Sequence, residues 1–249
     1  PYTKVKADPA DFYTAIEDSA WRVSATYVID DNSDLNLQYE NYEDNGKGWT
    51  NVLSCELMKT RQGATAKDSP ANTCTDILGS ENRYQAYANT PGFNKMTLNS
   101  FRAIYKRQVN ESTDLTVNYG FQELEQSSQF EIDSGVNYQY GMAFNINRLL
   151  TKSNVLDAYL TGADDKIAWV GGVFASTEDN DMLANFTAEL NGHDYFVQPN
   201  RELNHYAVYG QATYALRDDV FFTVGGRFSY DEKSDVGGRN INCNSGNGC

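Results

Sequence analysis

Six charged side chains in this chain, Arg22, Glu40, Arg102, Lys106, Asp157 and Arg227, each stand beside an aromatic or aliphatic neighbour. A charge alternating with apolar residues at a period of two belongs to one face of an extended strand. The chemistry open to such a face is recognition through ion pairs and hydrogen bonds to a polar solute. The same six residues can also pair with one another across strands, which satisfies charge in a polar interior without any ligand. Bond-making chemistry has less support. There is no GxSxG, HExxH, P-loop or GxGxxG before a helix, and among 34 Asp and Glu no pair stands out as general acid and base. No enzymatic activity and no cofactor are expected.

Metal chemistry is equally unsupported. His193 and His205 are the only histidines, and neither lies at ligand spacing from cysteine or carboxylate. Glu43-Asp44-Asn45-Gly46 and Glu178-Asp179-Asn180-Asp181 cluster oxygens without the twelve-residue calcium-loop pattern, so they read as solvated acidic loops. Asn110-Glu-Ser and Asn185-Phe-Thr match the glycosylation pattern, which is inert wherever that machinery is lacking.

Strands must position these charges. From Trp21 to Ile29, Trp21, Val23, Ala25, Tyr27 and Ile29 share one face, with Arg22, Ser24 and Thr26 on the other. After the turn at residues 30–34, Leu35, Leu37 and Tyr39 oppose Asn36, Gln38 and Glu40. A second hairpin sets Phe101, Ala103 and Tyr105, then Leu115, Val117, Tyr119 and Phe121, on the apolar side. A third contains Leu156, Ala158 and Leu160, followed by an apolar stretch from Ile167 to Phe174 in which Gly171 and Gly172 leave the facing open. In the fourth, Tyr206, Val208, Gly210, Ala212 and Tyr214 precede Phe222, Val224, Gly226, Phe228 and Tyr230. The expected fold is an all-β antiparallel meander of about eight strands. Its connections alternate between about five residues and about fifty, thirty and twenty-five, which separates a short-turn rim from a long-loop rim.

Composition narrows the class. The 249 residues hold 17 Tyr and 12 Phe against 5 Pro, and 19 Gly, a mixture that fits pleated strands and turns. No run approaches the roughly 18 apolar residues of a spanning helix, and mean hydropathy is −0.60. Strands of a transmembrane barrel keep hydropathy low because only alternate residues meet lipid. The formal charge of −14 argues against a phosphate-binding face, so no nucleic-acid partner is expected. Trp21, Tyr206 and Tyr230 fall near the long-loop ends of their strands, while Tyr27, Tyr105, Trp169, Tyr214 and Phe222 fall near the short-turn ends. Two rows of rings are what the two interfaces of a bilayer select.

The segments DKIAWVGGVFASTED and HYAVYGQATYALRDDVFFTVGGRFSYDEK, within Asp165 to Lys233, resemble the middle of the barrel of TonB-dependent receptors. The hairpin WRVSATYVIDDNSDLNLQYENYEDNGKGW and the Cys55 region are similar to the same family more loosely. The resemblance implies a Gram-negative outer-membrane barrel of 22 strands around an N-terminal plug. It implies import of a scarce bulky ligand, a siderophore, vitamin or oligosaccharide, with energy from TonB, ExbB and ExbD. Outer-membrane lipid is then a further partner, and contact with the plug becomes another role for the inward charges. Neither plug, TonB box, signal peptide nor a terminal aromatic strand is recognisable between Pro1 and Cys249, so residues 1–249 read as part of such a barrel.

Within this reading the ligand-contact candidates are Arg22, Glu40, Arg102, Lys106 and Arg227. The four cysteines fall in polar connections. Two local disulfides are expected, Cys55 with Cys74 and Cys243 with Cys249, each within one extracellular loop, with four free thiols as the alternative. Loops of about 19 and 6 residues would gain roughly 2 to 3 kcal/mol on closure. Two other functions suit the same pattern, a passive porin-like barrel and a secreted soluble all-β ligand-binding module. Heat-modifiable migration and dependence on detergent separate a barrel from a soluble module.

Overall fold

The computed structural model describes residues 3–5, 12–13, 16–48, 85–86, 92–131, 142–188 and 192–243. Eight long strands account for most of them: β1 Asp18–Asp30, β2 Ser33–Asp44, β3 Phe93–Asn110, β4 Thr113–Glu131, β5 Met142–Ala163, β6 Ile167–Ala188, β7 Gly192–Arg217 and β8 Val220–Cys243. They form a single antiparallel sheet in which each strand pairs with its neighbours in sequence. Turns of two or three described residues fix four of the seven pairings, because a hairpin so tight can only pair with itself. Three short segments, Thr3–Val5, Phe12–Tyr13 and Gln85–Ala86, make a separate small sheet that the strand pattern does not anticipate. No helix occurs among the described residues.

Local chemistry closes three of the four turns in the same way. An Asp or Asn at the end of one strand turns its side-chain oxygen back onto the N–H two residues later: Asn32 to Asp30 at 2.9 Å, Ser112 to Asn110 at 2.9 Å, and Lys166 to Asp164 at 2.8 Å. Ser33 Oγ also donates to Asp30, at 2.8 Å, and the Ile167 N–H to Asp164, at 2.8 Å. The hydrogen bond from Ser33, then that from the Asn32 N–H, hold the Asp30 carboxyl below the ordinary aspartate range. The N–H groups of Lys166 and Ile167 do the same for Asp164.

Register makes the facing continuous. Tyr27 pairs with Leu35, Leu35 with Tyr105, Tyr105 with Val117, Val117 with Ala158, Ala158 with Val173, Val173 with Val208 and Val208 with Phe228. Paired residues share a face, so one apolar row crosses all eight strands. The segment left open by its two glycines also resolves: Ile167, Trp169 and Val173 join the apolar face, while Val170 and Phe174 lie opposite. Among the described residues no second layer covers this band. Among the described residues the buried apolar ones are Ala143, Ala184 and Ala207, whereas Val224 is 61% and Phe228 74% exposed. Water cannot be the natural neighbour of a band this wide.

Hydrogen bonds mark where the band stops. On the apolar face Tyr39 Oη donates to Asn99 Oδ1 at 2.9 Å, Asn41 Nδ2 to the same oxygen at 3.0 Å, and Tyr119 Oη to Asn154 Oδ1 at 2.8 Å. Rings below and amides above form a polar border. Beyond it the same face carries the ion pairs Lys152–Glu123 at 2.8 Å and Arg148–Asp181 at 3.1 Å.

Strand lengths depart from the sequence expectation. The band accounts for about 9 to 11 residues per strand, yet β5 and β6 run for 22 residues, β7 for 26 and β8 for 24. The stretch between Phe174 and Tyr206, read from sequence as a long loop, is instead strand up to Ala188 and from Gly192 onward. Glu178-Asp179-Asn180-Asp181 therefore lies within β6, and its side chains alternate between faces instead of converging as a loop. The acidic character that mimics a loop reflects two solvated faces, since a strand beyond the band has no apolar side to declare. Of the expected disulfide positions, Cys55, Cys74 and Cys249 lie outside the described residues, and Cys243 ends β8.

A line of register shifts crosses this polar crown above the band. Shifts fall between Gln126 and Ser128 on β4, Ile146 and Arg148 on β5, and Gln198 and Arg201 on β7 against β6. On β7 against β8 one falls between Val197 and Asn200. Pro199, which has no N–H to give a ladder, sits at the β7 shifts.

Candidate functional site

The face opposite the apolar band collects every charged candidate. Arg22 pairs with Glu40, Arg102 lies between Gln38 and Gly120, Lys106 between Asp34 and Thr116, Asp157 between Asn118 and Phe174, and Arg227 opposite Tyr209. They fall into three groups. Arg22 and Glu40 form a direct ion pair through the arginine Nε and Nη2 and the glutamate Oε1. Glu40 and Arg102 share a shallow groove with Gln38, Ser100, Asn118 and Gln122. Lys106 lies apart, in a groove at the short-turn end with Asp30, Asp34 and Asp114. Exposed pairs of this kind contribute little to stability, about 0 to 1 kcal/mol, so their meaning is charge placement.

The third group is built around Tyr209, which sequence reading did not single out. Its hydroxyl donates to Asp157 Oδ1 at 2.8 Å, crossing from β7 to β5 over the intervening β6. Gly172 makes that reach possible. A Cβ there would lie 2.7 Å from the Cβ of Tyr159 and 2.7 Å from the Cζ and hydroxyl of Tyr209. The residue leaves a slot between two tyrosines that any side chain would fill.

Arg227 lies against the same ring. Its guanidinium carbon is 5.8 Å from the Tyr209 centroid and 5.3 Å from that of Phe174, within cation–π range of both. Arg227 Nε donates to Ser229 Oγ at 3.0 Å, and Nη2 lies 3.0 Å from His205 Nε2. The other ring nitrogen of His205 contacts Asp231, and its ring meets Phe174 edge-on at 5.4 Å. Asp157 and Arg227 are thus brought together, through Tyr209. Tyr209, Phe174, His205 and Asp231 were missed because each belongs to an ordinary alternating strand, and only register joins them.

This wall can orient charge and hydrogen bonds toward a solute. Among the described residues no three His, Cys, Asp or Glu side chains are placed to hold a metal ion.

A single antiparallel meander, with tight turns along one rim and an exposed apolar band on one face, has the architecture of a segment of β-barrel wall. Among solved structures the chain is similar to the ferric yersiniabactin uptake receptor FyuA from Yersinia pestis, with a TM-score of 0.66 at 10% sequence identity. The match covers 96% of this chain and 36% of that receptor, so the likeness is one of fold and extends over about a third of the receptor's length. No family model and no curated protein matches the sequence.

Proposed function

We propose that this chain forms part of the barrel of an outer-membrane receptor of the TonB-dependent kind. In this reading it lines the path by which a scarce, bulky ligand such as a siderophore, vitamin or oligosaccharide is imported, with energy from TonB, ExbB and ExbD. The observation that carries the reading is the uncovered apolar band with rings near both borders, which asks for lipid on one face. The polar opposite face then lines a lumen, and the crown stands outside the cell. A sheet edge at β1 and another at β8 leave rows of backbone groups that further strands of a closed barrel would pair. On the lumen wall, Arg22, Glu40, Arg102, Lys106 and Arg227 contact ligand or plug.

The test has two levels. The full protein should fractionate with outer membranes, need detergent to stay soluble, and migrate faster on gels before heating than after. A monodisperse protein without detergent overturns the membrane reading in favour of a secreted binding module. Uptake of labelled ligand that stops when TonB is deleted supports energy coupling, and uptake that continues unchanged points to a passive porin-like barrel.

A further inference from the structure

The hydrogen-bond geometry at His205 sets its tautomer. Arg227 is always a donor, so the contact of 3.0 Å between its Nη2 and His205 Nε2 requires a lone pair on that nitrogen. The proton of a neutral ring must then sit on Nδ1, where it meets the Asp231 carboxylate. Protonating His205 places an N–H opposite an N–H and a cation opposite a cation, while the contact with Asp231 becomes an ion pair. One half of the arrangement gains and the other is lost.

We propose that His205 is a proton-controlled latch on Arg227. With His205 neutral, Arg227 is held flat against Phe174 and Tyr209 by His205 and Ser229. With His205 protonated, the guanidinium is released from the wall and its charge turns toward anionic groups in the space the polar face borders. The surrounding charges allow this motion. From β8 the ring meets Asp231 and Arg227, with Lys233 two residues further along. From β6 it meets Ser176, with Glu178 next on the same face, and from β5 Asp157 is occupied by the Tyr209 hydroxyl. Among the described residues no carboxylate is bonded to Arg227, so nothing but the histidine, the serine and the two rings restrains it. The inference rests on side-chain geometry alone and does not depend on what the protein transports.

Nitrogen-15 spectra of the full protein in detergent, labelled at histidine and arginine, with the His205 and Arg227 signals identified by their loss in His205→Gln and Arg227→Lys, provide the test. At about pH 8 the expected His205 pattern is the Nδ1–H tautomer. Measured against the intrinsic, base-catalysed exchange rate at each pH, the Arg227 Nε–H should be on the order of tenfold better protected at that pH than at about pH 5, the size expected when a hydrogen bond from a charged group is lost. His205→Gln keeps an acceptor oxygen and cannot be protonated, so its Arg227 signal should be protected at both pH values. An Nε2–H tautomer at about pH 8, Arg227 protection that is the same at both pH values, or loss of protection at low pH in His205→Gln would each overturn the latch.

Discussion

The apolar band and the crown are continuous strands under different rules. Within the band, facing is strict from β1 to β8, and glycines sit where rings need room, as at Gly172. In the crown neither face is consistently apolar, and the register slips on β4, β5 and β7 at one height. A slip of one residue exchanges the faces of a strand. That is costly where one face meets lipid and harmless where both meet water. On the proposed reading, the slips fall where the strands have already left the bilayer.

Two valines of β8 test that difference most sharply. Val224 and Val236 are 61% and 59% exposed, so water contact alone does not distinguish them. Arg at Val224 should destabilise by about 2 to 4 kcal/mol in a lipid or detergent unfolding assay, as should Arg at Val117. Arg at Val236 in the crown, or at Thr223 and Asn118 on the polar face of the band, should be mild. Equal costs at Val224 and Val236 would remove the distinction between band and crown.

Gly172→Ala is expected to cost about 1 to 3 kcal/mol, because its methyl meets the Cβ of Tyr159, which cannot swing away. Gly120, with open space around its missing Cβ, is the control, and Gly120→Ala should change stability by no more than about 0.5 kcal/mol. A smaller loss, about 1 kcal/mol, is expected for Tyr209→Phe, which removes the hydroxyl and leaves Asp157 without its donor. If Gly172→Ala and Tyr209→Phe together cost no more than Gly172→Ala alone, the glycine acts by admitting that hydrogen bond.

The turn carboxylates should give the smallest effect. Asp30 and Asp164 hold their protons less tightly in the folded protein than in the unfolded chain. Their stabilisation is therefore present above the ordinary aspartate range and is lost as pH falls through the lower folded values. Denaturation midpoints followed from about pH 5 down to about pH 2 should fall less steeply in Asp30→Asn and Asp164→Asn than in the parent. Identical slopes would mean that the turns do not depend on these side chains.

Strand order and facing were legible in the chain because both are local. A period of two assigns Val23, Val117 or Val224 to a side without knowledge of any partner, and a two-residue turn leaves a strand no neighbour but the next. The same reasoning placed Arg22, Glu40, Arg102, Lys106, Asp157 and Arg227 on the polar face. It failed in the crown, where Thr177 to Ala188 and Gly192 to Asn204 are strand without a consistent apolar side, so no periodic signal marks them. Which charges meet was decided only by the tertiary structure. Tyr209 and Asp157 are 52 residues apart and Arg227 and His205 22 apart, and no local pattern carries the register that aligns them. That register is the summed result of tight turns and of a band that must keep its apolar face toward one side of eight strands at once.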